Sequence, residues 1–251
     1  MKAVILAAGR GTRLGEATKN TPKCLLSIRG KSLIDYSIEN LKENGIKNED
    51  IAIVVGFEKE KIINHLGNYY AYIYNEDFAN TNNMASFYLA KNFVNKDSCL
   101  YLHADIFYHS EIIRDCLMTE KDKSYLVVDT DKWTDESMKV EIKEGCLVQA
   151  GKDLSDKQTH GDWIGIAKIS NNLIKPTFET INKQLQCGEQ RSFMAIKCFT
   201  ELARNGHKLY ILPSNQKPWI EIDFEYELAK ADKVVYNEIY NTQKCHILHK
   251  K

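Results

Sequence analysis

The stretch KAVILAAGRGTRL, residues 2–14, runs from a short apolar segment directly into a glycine-containing loop. Lys2–Ala7 has the nearly continuous apolar composition of a strand that is buried on both faces, which is typical of parallel sheets. Strand-like and helix-like segments then alternate through the N-terminal half. This alternation predicts βαβ units with right-handed crossovers, and therefore an α/β fold with a mixed, mostly parallel sheet.

Apolar periodicity and glycine or proline stops predict the remaining elements. In the N-terminal half the predicted strands and helices are Ile51–Val55, Ala71–Asn75, Cys99–His103 and Ser124–Asp129 (strands), and Leu33–Asn44, Glu58–Leu66, Ala85–Lys91 and Glu111–Met118 (helices). Beyond it they are the hairpin Met138–Lys143 with Cys146–Lys152, the strands Trp163–Ile169, Lys208–Leu212 and Trp219–Ile222, and the helices Pro176–Gln186, Phe193–Asn205 and Phe224–Val234. Because no repeat or linker interrupts this series, we predict one mixed domain.

The composition excludes several classes of protein. The chain has 34 Lys plus Arg and 34 Asp plus Glu, so it lacks a general attraction to nucleic acids or acidic membranes, and we expect neither as a partner. Its longest apolar run, Ala3–Ala8, is too short to span a bilayer, which needs ~20 residues, and it lacks the features of a signal peptide. Seven cysteines without short spacings fit neither a disulfide scaffold nor a zinc site. We therefore expect a cytoplasmic location.

Two familiar nucleotide-binding motifs fail on inspection. Gly9-x-Gly11 starts like a dinucleotide-binding fingerprint, but Leu14 stands where that fingerprint needs a third glycine. Arg29-Gly30-Lys31-Ser32 looks like the end of a Walker A loop, but Leu25 stands where its first glycine is required. Neither a dinucleotide fold nor a P-loop is therefore expected.

The loop itself still has the features of an anion site. Small residues at positions 7–9, 11 and 12 let the backbone approach a ligand closely, and successive backbone amides can form an anion-binding concavity. Arginine can bind a phosphate in a bidentate manner, and lysine adds a mobile charge. A solvated basic loop is the alternative. The four cations in question are Arg10, Arg13, Lys19 and Lys23.

The motif Leu6-Ala-Ala-Gly-x-Gly-Thr-Arg-Leu14, followed by Thr21-Pro22-Lys23, resembles the signature of the sugar-phosphate-type nucleotidyltransferases. Members of that family are GT-A-like three-layer α/β sandwiches that join a nucleoside triphosphate to a phosphorylated acceptor and release pyrophosphate. The ten-residue step from Arg13 to Lys23 also matches, whereas Gly15-Glu16 departs from the proline of many members. The resemblance implies that Arg13 and Lys23 are catalytic. The nucleotide-binding set that it implies is Leu6, Ala7, Ala8, Gly9, Gly11, Thr12, Arg13, Lys23, Asn83, Ser86 and Ala104.

The same resemblance divides the chain into functional parts. It implies a single nucleotidyltransferase domain over residues 1–251, with a nucleotide-binding half at about 1–130. An acceptor-side half with a small antiparallel lobe follows at about 131–235, and a C-terminal tail occupies 236–251. The expected partners are accordingly small-molecule substrates, while a homodimer is left open.

Two aspartates follow predicted strands, at the sheet edge where open α/β sheets bind ligands. They are Asp105 after Cys99–His103 and Asp223 after Trp219–Ile222. Triphosphate chemistry needs a divalent cation with oxygen ligands, and the resemblance implies that both aspartates hold Mg²⁺. The alternative for Asp223 is a helix N-cap before Phe224–Val234.

Other positions indicate the base and the acceptor. The run Thr81–Ser86 resembles the base-reading loop of choline-phosphate and phosphonate cytidylyltransferases, and Asn83 can both donate to and accept from a cytosine edge. Helix capping is the alternative for this asparagine, because either Asn82 or Asn83 is expected to start the helix Ala85–Lys91. Lys152 and Gly165 match the positions at which the family contacts the acceptor, although Lys152 also reads as an exposed hairpin lysine. The Gln-x-x-Pro-x-Gly-Leu stretch of the sugar enzymes is missing, and there is no room for a C-terminal acyltransferase domain, so we expect a small acceptor.

Tryptophans beside acids suggest that this acceptor carries an amine. An aromatic face with nearby carboxylates can bind an ammonium group, although tryptophan is more often a core residue. The residues concerned are Trp133, Trp163 and Trp219, with Asp131, Asp135, Asp162 and Glu221, of which Trp163 and Glu221 are the predicted acceptor contacts.

These observations together lead us to expect a Mg²⁺-dependent cytidylyltransferase. It would transfer CMP from CTP to phosphocholine, 2-aminoethylphosphonate or a similar compound, with release of pyrophosphate. Two alternatives remain open. One is a sugar-1-phosphate nucleotidyltransferase that uses UTP or dTTP, and the other is a non-catalytic nucleotide-binding regulatory subunit.

Overall fold

A nine-stranded mixed sheet is the centre of the fold. The computed structural model describes residues 1–188 and 195–240. Nine of the strands in these residues form this sheet, and β2, β3, β7 and β13 form two small sheets. The strands are β1 Lys2–Ala7, β2 Ser27–Ile28, β3 Lys31–Ser32, β4 Ile51–Val55, β5 Ala71–Tyr74, β6 Cys99–His103, β7 Ile106–Tyr108, β8 Ser124–Asp129, β9 Val140–Lys143, β10 Cys146–Ala150, β11 Asp162–Ile169, β12 Leu209–Pro213 and β13 Trp219–Glu221. Its α-helices are α1 Leu33–Glu43, α2 Lys59–Leu66, α3 Asn83–Leu89, α4 Lys91–Val94, α5 Glu111–Met118, α6 Asn171–Gln186, α7 Ala195–Arg204 and α8 Glu225–Lys230.

The sheet order is β5-β4-β1-β6-β11-β8-β12-β10-β9. β1 lies between β4 and β6 and is parallel to both, with Ala3 opposite Ile51 and Lys2 opposite Cys99. Seven of these nine strands share one direction, while β10 and β11 run against their neighbours. The predicted mixed, mostly parallel sheet is therefore confirmed.

Helices cover both faces of the sheet, so the fold has three layers. Alternate residues of β1 serve opposite faces: Val4 packs in one core with side chains of α3, α6 and α7, while Ala3 and Ile5 pack in the other with α1, α2 and α5. These three β1 side chains are fully buried. Burial of a side chain the size of Ile5 contributes about 2–3 kcal/mol, which explains why the strand needs apolar residues on both faces.

A third apolar cluster lies under the basic loop. It contains Leu14, Leu26, Ile28, Leu33, Tyr36, Phe107, Ile220, Ile222, Ala231, Val235 and Ile239. It surrounds the two-stranded antiparallel sheet of β7 and β13, in which Glu221 is opposite Ile106, and the backbone N–H of Ile222 donates to the Asp105 carbonyl at 2.9 Å. Because β7 starts just after Asp105 and β13 ends just before Asp223, this pairing brings the two aspartates to the same place.

Element ends differ from the predictions where backbone groups find unexpected partners. α6 was predicted from Pro176 but begins at Asn171, because the backbone N–H groups of Leu173 and Ile174 donate to the Ser170 carbonyl. Proline removes only one helical hydrogen bond at this early position. The first residue of α3 is Asn83 rather than Ala85, and Asn82, one of the two asparagines expected to start this helix, is its cap.

The last two helical predictions are each met in part. The described part of Phe193–Asn205 is α7, and residues 193 and 194 lie outside the described residues. The predicted helix Phe224–Val234 is instead α8, which passes into a π-helical turn at Ala231–Val235. None of the helices in the described ranges combines the length and the apolar character needed to cross a bilayer.

Candidate active site

A cavity of about 570 Å³ lies at the carboxyl ends of β1 and β6. All of the predicted nucleotide, metal and acceptor residues line it, namely Leu6, Ala7, Ala8, Gly9, Gly11, Thr12, Arg13, Lys23, Asn83, Ser86, Ala104, Asp105, Lys152, Trp163, Gly165, Glu221 and Asp223. These residues come from segments up to about 200 positions apart, so their convergence follows from strand order. Their individual roles are not tested by this placement and stay predictions.

Local packing shapes the loop that follows β1. Gly11 has φ +67°, and a Cβ atom there would lie 3.1 Å from the Lys23 Cβ, so a glycine lets the two chain segments approach. Thr18 Oγ1 donates to the Gly11 carbonyl at 2.7 Å, while the Leu14 side chain is fully buried beneath the loop. Leu14, which is incompatible with a dinucleotide fingerprint, therefore acts as the hydrophobic anchor of this loop.

Lys23 forms the centre of a charged cluster. Its Nζ lies 2.7 Å from Asp105 Oδ2 and 2.6 Å from Asp223 Oδ1, and Arg13 Nη1 lies 2.8 Å from Asp223 Oδ2. Burial alone would lower the pKa of the Lys23 ammonium, but the charges of the two aspartates outweigh it and raise the pKa. The same attraction lowers the pKa of Asp105 against the opposing effect of burial. Lys23 and Asp105 therefore both stay charged at neutral pH.

Asp223 does not cap the following helix, so that alternative is wrong. The Glu227 side chain accepts from the backbone N–H groups of Asp223 and Phe224, at 2.6 and 2.9 Å, and satisfies the start of α8. Both carboxylate oxygens of Asp223 point instead to Lys23 and Arg13. The alternative of a solvated loop fails for Lys23 in the same way, since its side chain is only 11% exposed.

The oxygen atoms of the cluster fit a hard divalent cation. Asp105 Oδ1 is buried, and no hydrogen-bond partner for it exists among the described residues. Ligand-type atoms of His103, Asp105 and Glu221 lie within 4.8 Å of one another. A buried carboxylate oxygen without a partner is costly, and Mg²⁺ coordination would satisfy it.

Glu221 lies against the same cluster, but its pKa shifts in the opposite direction from that of Asp105. Burial, and then repulsion from Asp105 and Asp223, raise the pKa of its carboxyl group to about 8. The sequence predicts Glu221 only as an acceptor contact, because nothing in the chain order shows its proximity to Asp105.

Asn83 and Ser86 form the opposite wall, in the first turns of α3. Asn83 Oδ1 accepts from the backbone N–H of Ala195 at 2.8 Å, and Asn83 Nδ2 lies 3.2 Å from His103 Nε2. The hydroxyl of Ser86 accepts from Nδ2 of the buried Asn75 at 2.9 Å. The helix N-cap is Asn82, so the capping alternative for Asn83 is wrong and its amide faces the cavity.

The acceptor-side residues occupy distinct positions. Lys152 lies two residues past the end of β10, rather than within the strand as predicted, and its Nζ lies 2.8 Å from Glu136 Oε2. Trp163 is only 4% exposed, because its ring packs against Tyr101 and Phe199. Only an edge of this indole can therefore reach the cavity.

The three tryptophans do not form one aromatic cage. Trp133 and Trp219 line a neighbouring cleft of about 1410 Å³, whereas Trp163 lines the first cavity. Glu136, Glu221 and Asp223 line both spaces and mark where they meet.

Comparisons with known proteins agree with this geometry. A family model described as the MobA-like NTP transferase domain matches residues 3–155. The chain belongs to this family. A CTP:phosphoglutamine cytidylyltransferase of Campylobacter jejuni is 28% identical over 91% of this chain and 98% of its own. A choline-phosphate cytidylyltransferase of Streptococcus pneumoniae is 50% identical over 36% of this chain and 39% of its own.

The fold of this MobA-like NTP transferase resembles that of a solved structure over nearly the whole chain. It is the CTP:phosphocholine cytidylyltransferase from Streptococcus pneumoniae, with a TM-score of 0.75 and 27% identity, covering 93% of this chain and 98% of that one. The resemblance to nucleotidyltransferases, the α/β fold and the assignment as an enzyme of that class are therefore confirmed.

Several further residues of this MobA-like NTP transferase line the cavity without a predicted role. They are Cys24, Phe78, His103, Glu136 and Met138. A histidine at the end of an apolar strand, two residues before Asp105, was an available signal for His103. Glu136 lies in a polar stretch without periodicity, so the sequence held no comparable signal for it.

Proposed function

We propose that this protein is a cytidylyltransferase, which transfers CMP from CTP to a small phosphorylated or phosphonate acceptor that carries an amine. The observation that carries the proposal is the convergence of four features on one cavity. These are the backbone of residues 6–12, the cations Arg13 and Lys23, the carboxylate pair Asp105 and Asp223, and the base-reading amide of Asn83. The cytidylyltransferases among the relatives support the choice of CTP.

The reaction needs positioning and charge more than covalent chemistry. An acceptor phosphate or phosphonate oxygen attacks the α-phosphorus of CTP in line. The new P–O bond forms as the bond to the bridging oxygen of the β-phosphate breaks, and its electron pair leaves with pyrophosphate. The attacking oxygen is already ionised at neutral pH, so this chain needs no general base.

Arg13 and Lys23 hold the triphosphate in this mechanism. Both cations contact aspartates, at 2.6–2.8 Å. When CTP enters, they turn from these carboxylates to phosphate oxygens and stabilise the charge that develops on the leaving group.

Mg²⁺ fits this site, and Asp105 and Asp223 would hold it, with the unpartnered Asp105 Oδ1 as the clearest candidate ligand. When bound, Mg²⁺ supplies positive charge that neutralises the triphosphate. Lys152, which lines the cavity beside Glu136, would bind the acceptor phosphate.

The neighbouring cleft supports an acceptor with an amine. Its lining contains ten acidic residues, Glu111, Asp129, Asp131, Asp135, Glu136, Asp162, Glu221, Asp223, Glu227 and Glu238, against three lysines. Trp133 and Trp219 add aromatic faces to this acidic wall. A negative field beside aromatic rings favours the binding of an ammonium group.

We further propose that the reaction takes place in the cytoplasm.

Pyrophosphate release tests the proposal. We expect release with CTP, Mg²⁺ and an amine-bearing phosphate or phosphonate, from a panel of four nucleoside triphosphates and of sugar and amino-alcohol acceptors. Release with UTP or dTTP and a sugar phosphate only would contradict it, and no release with any pair would favour a regulatory subunit.

The variant Asp105→Ala tests whether that activity depends on the cavity. Asp105→Ala should reduce turnover by a hundredfold or more, by about the factor that loss of one key charge-stabilising group causes. Asp50→Asn is the matched control, because Asp50 pairs with Lys2 away from the cavity. Equal activity of the two variants would remove Asp105 from the active site.

A further inference from the structure

The Asn83 side chain is held from both ends by groups of known character. The backbone N–H of Ala195 can only donate, so the atom that faces it at 2.8 Å must be the carbonyl oxygen Oδ1. The amide nitrogen Nδ2 then faces His103 Nε2 at 3.2 Å. These two partners therefore distinguish the oxygen Oδ1 from the nitrogen Nδ2 of the amide. The shape of the side chain alone does not distinguish them.

This orientation sets the role of the His103 ring atom that faces the amide. Because Nδ2 carries hydrogens, His103 Nε2 is the acceptor in this contact. The hydroxyl of Tyr101 lies 2.9 Å from the same Nε2 atom, and Tyr101 is fully buried among Phe87, Trp163 and Phe199. The chain of contacts thus runs from a rigid core residue through His103 to the amide in the cavity.

We propose that His103 and Tyr101 are positioning residues that lock the Asn83 amide and thereby make the enzyme discriminate cytosine from uracil. The proposal rests on the function proposed above. Cytosine presents an acceptor at N3 beside a donor at its amino group, and uracil presents the reverse. A freely rotating amide could turn by half a turn and serve either base.

The lock removes that freedom. A flipped Asn83 would place Nδ2 against the Ala195 N–H and Oδ1 against the His103 lone pair, so two hydrogen bonds would be replaced by two like-with-like contacts. One Nδ2 hydrogen and one Oδ1 lone pair remain for the base. Because these two groups have fixed positions, uracil would place a donor against the Nδ2 hydrogen and an acceptor against Oδ1.

The test measures the ratio of kcat/KM for CTP to that for UTP, together with binding of each nucleotide by calorimetry without acceptor. His103→Leu removes the acceptor and should lower the ratio roughly tenfold, the worth of about one hydrogen bond. His103→Gln can still offer an acceptor and should retain most of the discrimination. Tyr101→Phe, which removes one oxygen atom, should lower the ratio in the same direction even if His103→Leu folds poorly.

A double-mutant cycle separates this role from a structural one. If His103 acts through Asn83, then His103→Leu should not change the ratio in an Asn83→Ala background. A loss of kcat that is equal for both nucleotides, or an unchanged ratio in the single variants, would overturn the proposal. A wild-type protein that prefers UTP would contradict the proposed function, yet the lock would still be visible as lost preference in the variants.

Discussion

Lys23 joins two aspartates that are 82 and 200 positions away along the chain. Its ammonium group contacts both carboxylates, and Arg13 contacts the second oxygen of Asp223. Two cations thus face two carboxylates, and these four charges balance one another. A free divalent ion would have to displace Lys23, whereas a metal–nucleotide complex brings phosphates to which Lys23 can move.

Lys23→Met is therefore expected to increase the affinity of the ligand-free protein for Mg²⁺ or Mn²⁺ while it weakens CTP binding. The variant should also lose about 3 kcal/mol of unfolding free energy, because two part-buried carboxylates lose their partner. Titration calorimetry with each ion, and melting temperatures with and without it, measure both effects. Wild-type melting should hardly respond to the ion. A variant that binds the ion no better than the wild type would contradict the idea.

At the scale of elements, Gly165 shows how a strand accommodates the site. It lies within β11 with φ +81°, where the register between β11 and β8 shifts. A Cβ atom there would lie 2.7 Å from both His103 Nδ1 and Ile106 Cδ1. The sequence predicts this glycine as an acceptor contact, but the structure adds a steric reason for it.

Gly165→Ala should cost about 3 kcal/mol of unfolding free energy, from the left-handed backbone and the collision with His103 together. Gly206→Ala is the matched control: φ is +86° there, but nothing lies within 4 Å of the added Cβ, so a cost of about 1 kcal/mol is expected. Denaturant unfolding of both variants gives the difference. Equal losses of unfolding free energy in the two variants would show that the added Cβ atom at position 165 does not collide with His103 at any cost.

The start of β11 carries a pH-sensitive contact. Burial raises the pKa of Asp162 to about 6, although Ser137 Oγ and the backbone N–H of Met138 donate to it. The folded state then holds this proton more tightly than the unfolded state. The contribution of Asp162 to stability is therefore present at pH 4 and is lost as the pH rises through about 6.

Asp162→Asn should remove this pH dependence. Relative to the variant, the wild type should lose up to about 3 kcal/mol of unfolding free energy between pH 4 and pH 7. Denaturation curves across that range provide the measurement. A difference between the two proteins that is constant, or that favours the wild type as the pH rises, would contradict the assignment.

The accuracy of the sequence predictions follows from which forces decide each feature. β4 and β6 were predicted to the residue, because strands buried on both faces need uninterrupted apolar runs. The start of α6 was missed because hydrogen bonds to Ser170 outweigh the usual boundary effect of Pro176. For the site, Arg13 from the loop motif and Asp105 from its place after a strand line one cavity, but tertiary contacts alone create the pairs Asn83–His103 and Lys152–Glu136.

At the scale of the whole molecule, two spaces meet at three acidic residues. The smaller cavity contains the glycine loop and Asn83, and the larger cleft contains Trp133 and Trp219. Equal numbers of acidic and basic residues in the chain therefore conceal a separation of charge, with cations beside the loop and a strongly acidic wall beyond them.

Trp133→Ala should raise the KM for the acceptor about tenfold, as loss of a cation–π contact implies, and leave the KM for CTP unchanged. Trp133 is 38% exposed, so its removal should barely affect folding. Tyr69→Ala, at an exposed aromatic residue outside both linings, is the control. A parallel rise in both KM values would show that Trp133 does not separate the two substrates.

The walls of the larger cleft come mainly from two chain segments, 129–137 and 215–238, while the glycine loop and α3 belong to the smaller cavity. Asp223 in the second segment also lines the smaller cavity, whereas segment 129–137 carries none of the residues proposed to hold the triphosphate or Mg²⁺. Exchange of segment 129–137 between relatives should therefore redirect the proposed enzyme to another acceptor without rebuilding its triphosphate chemistry. In this architecture, a new pathway can arise by replacing a wall while the catalytic machinery is inherited intact.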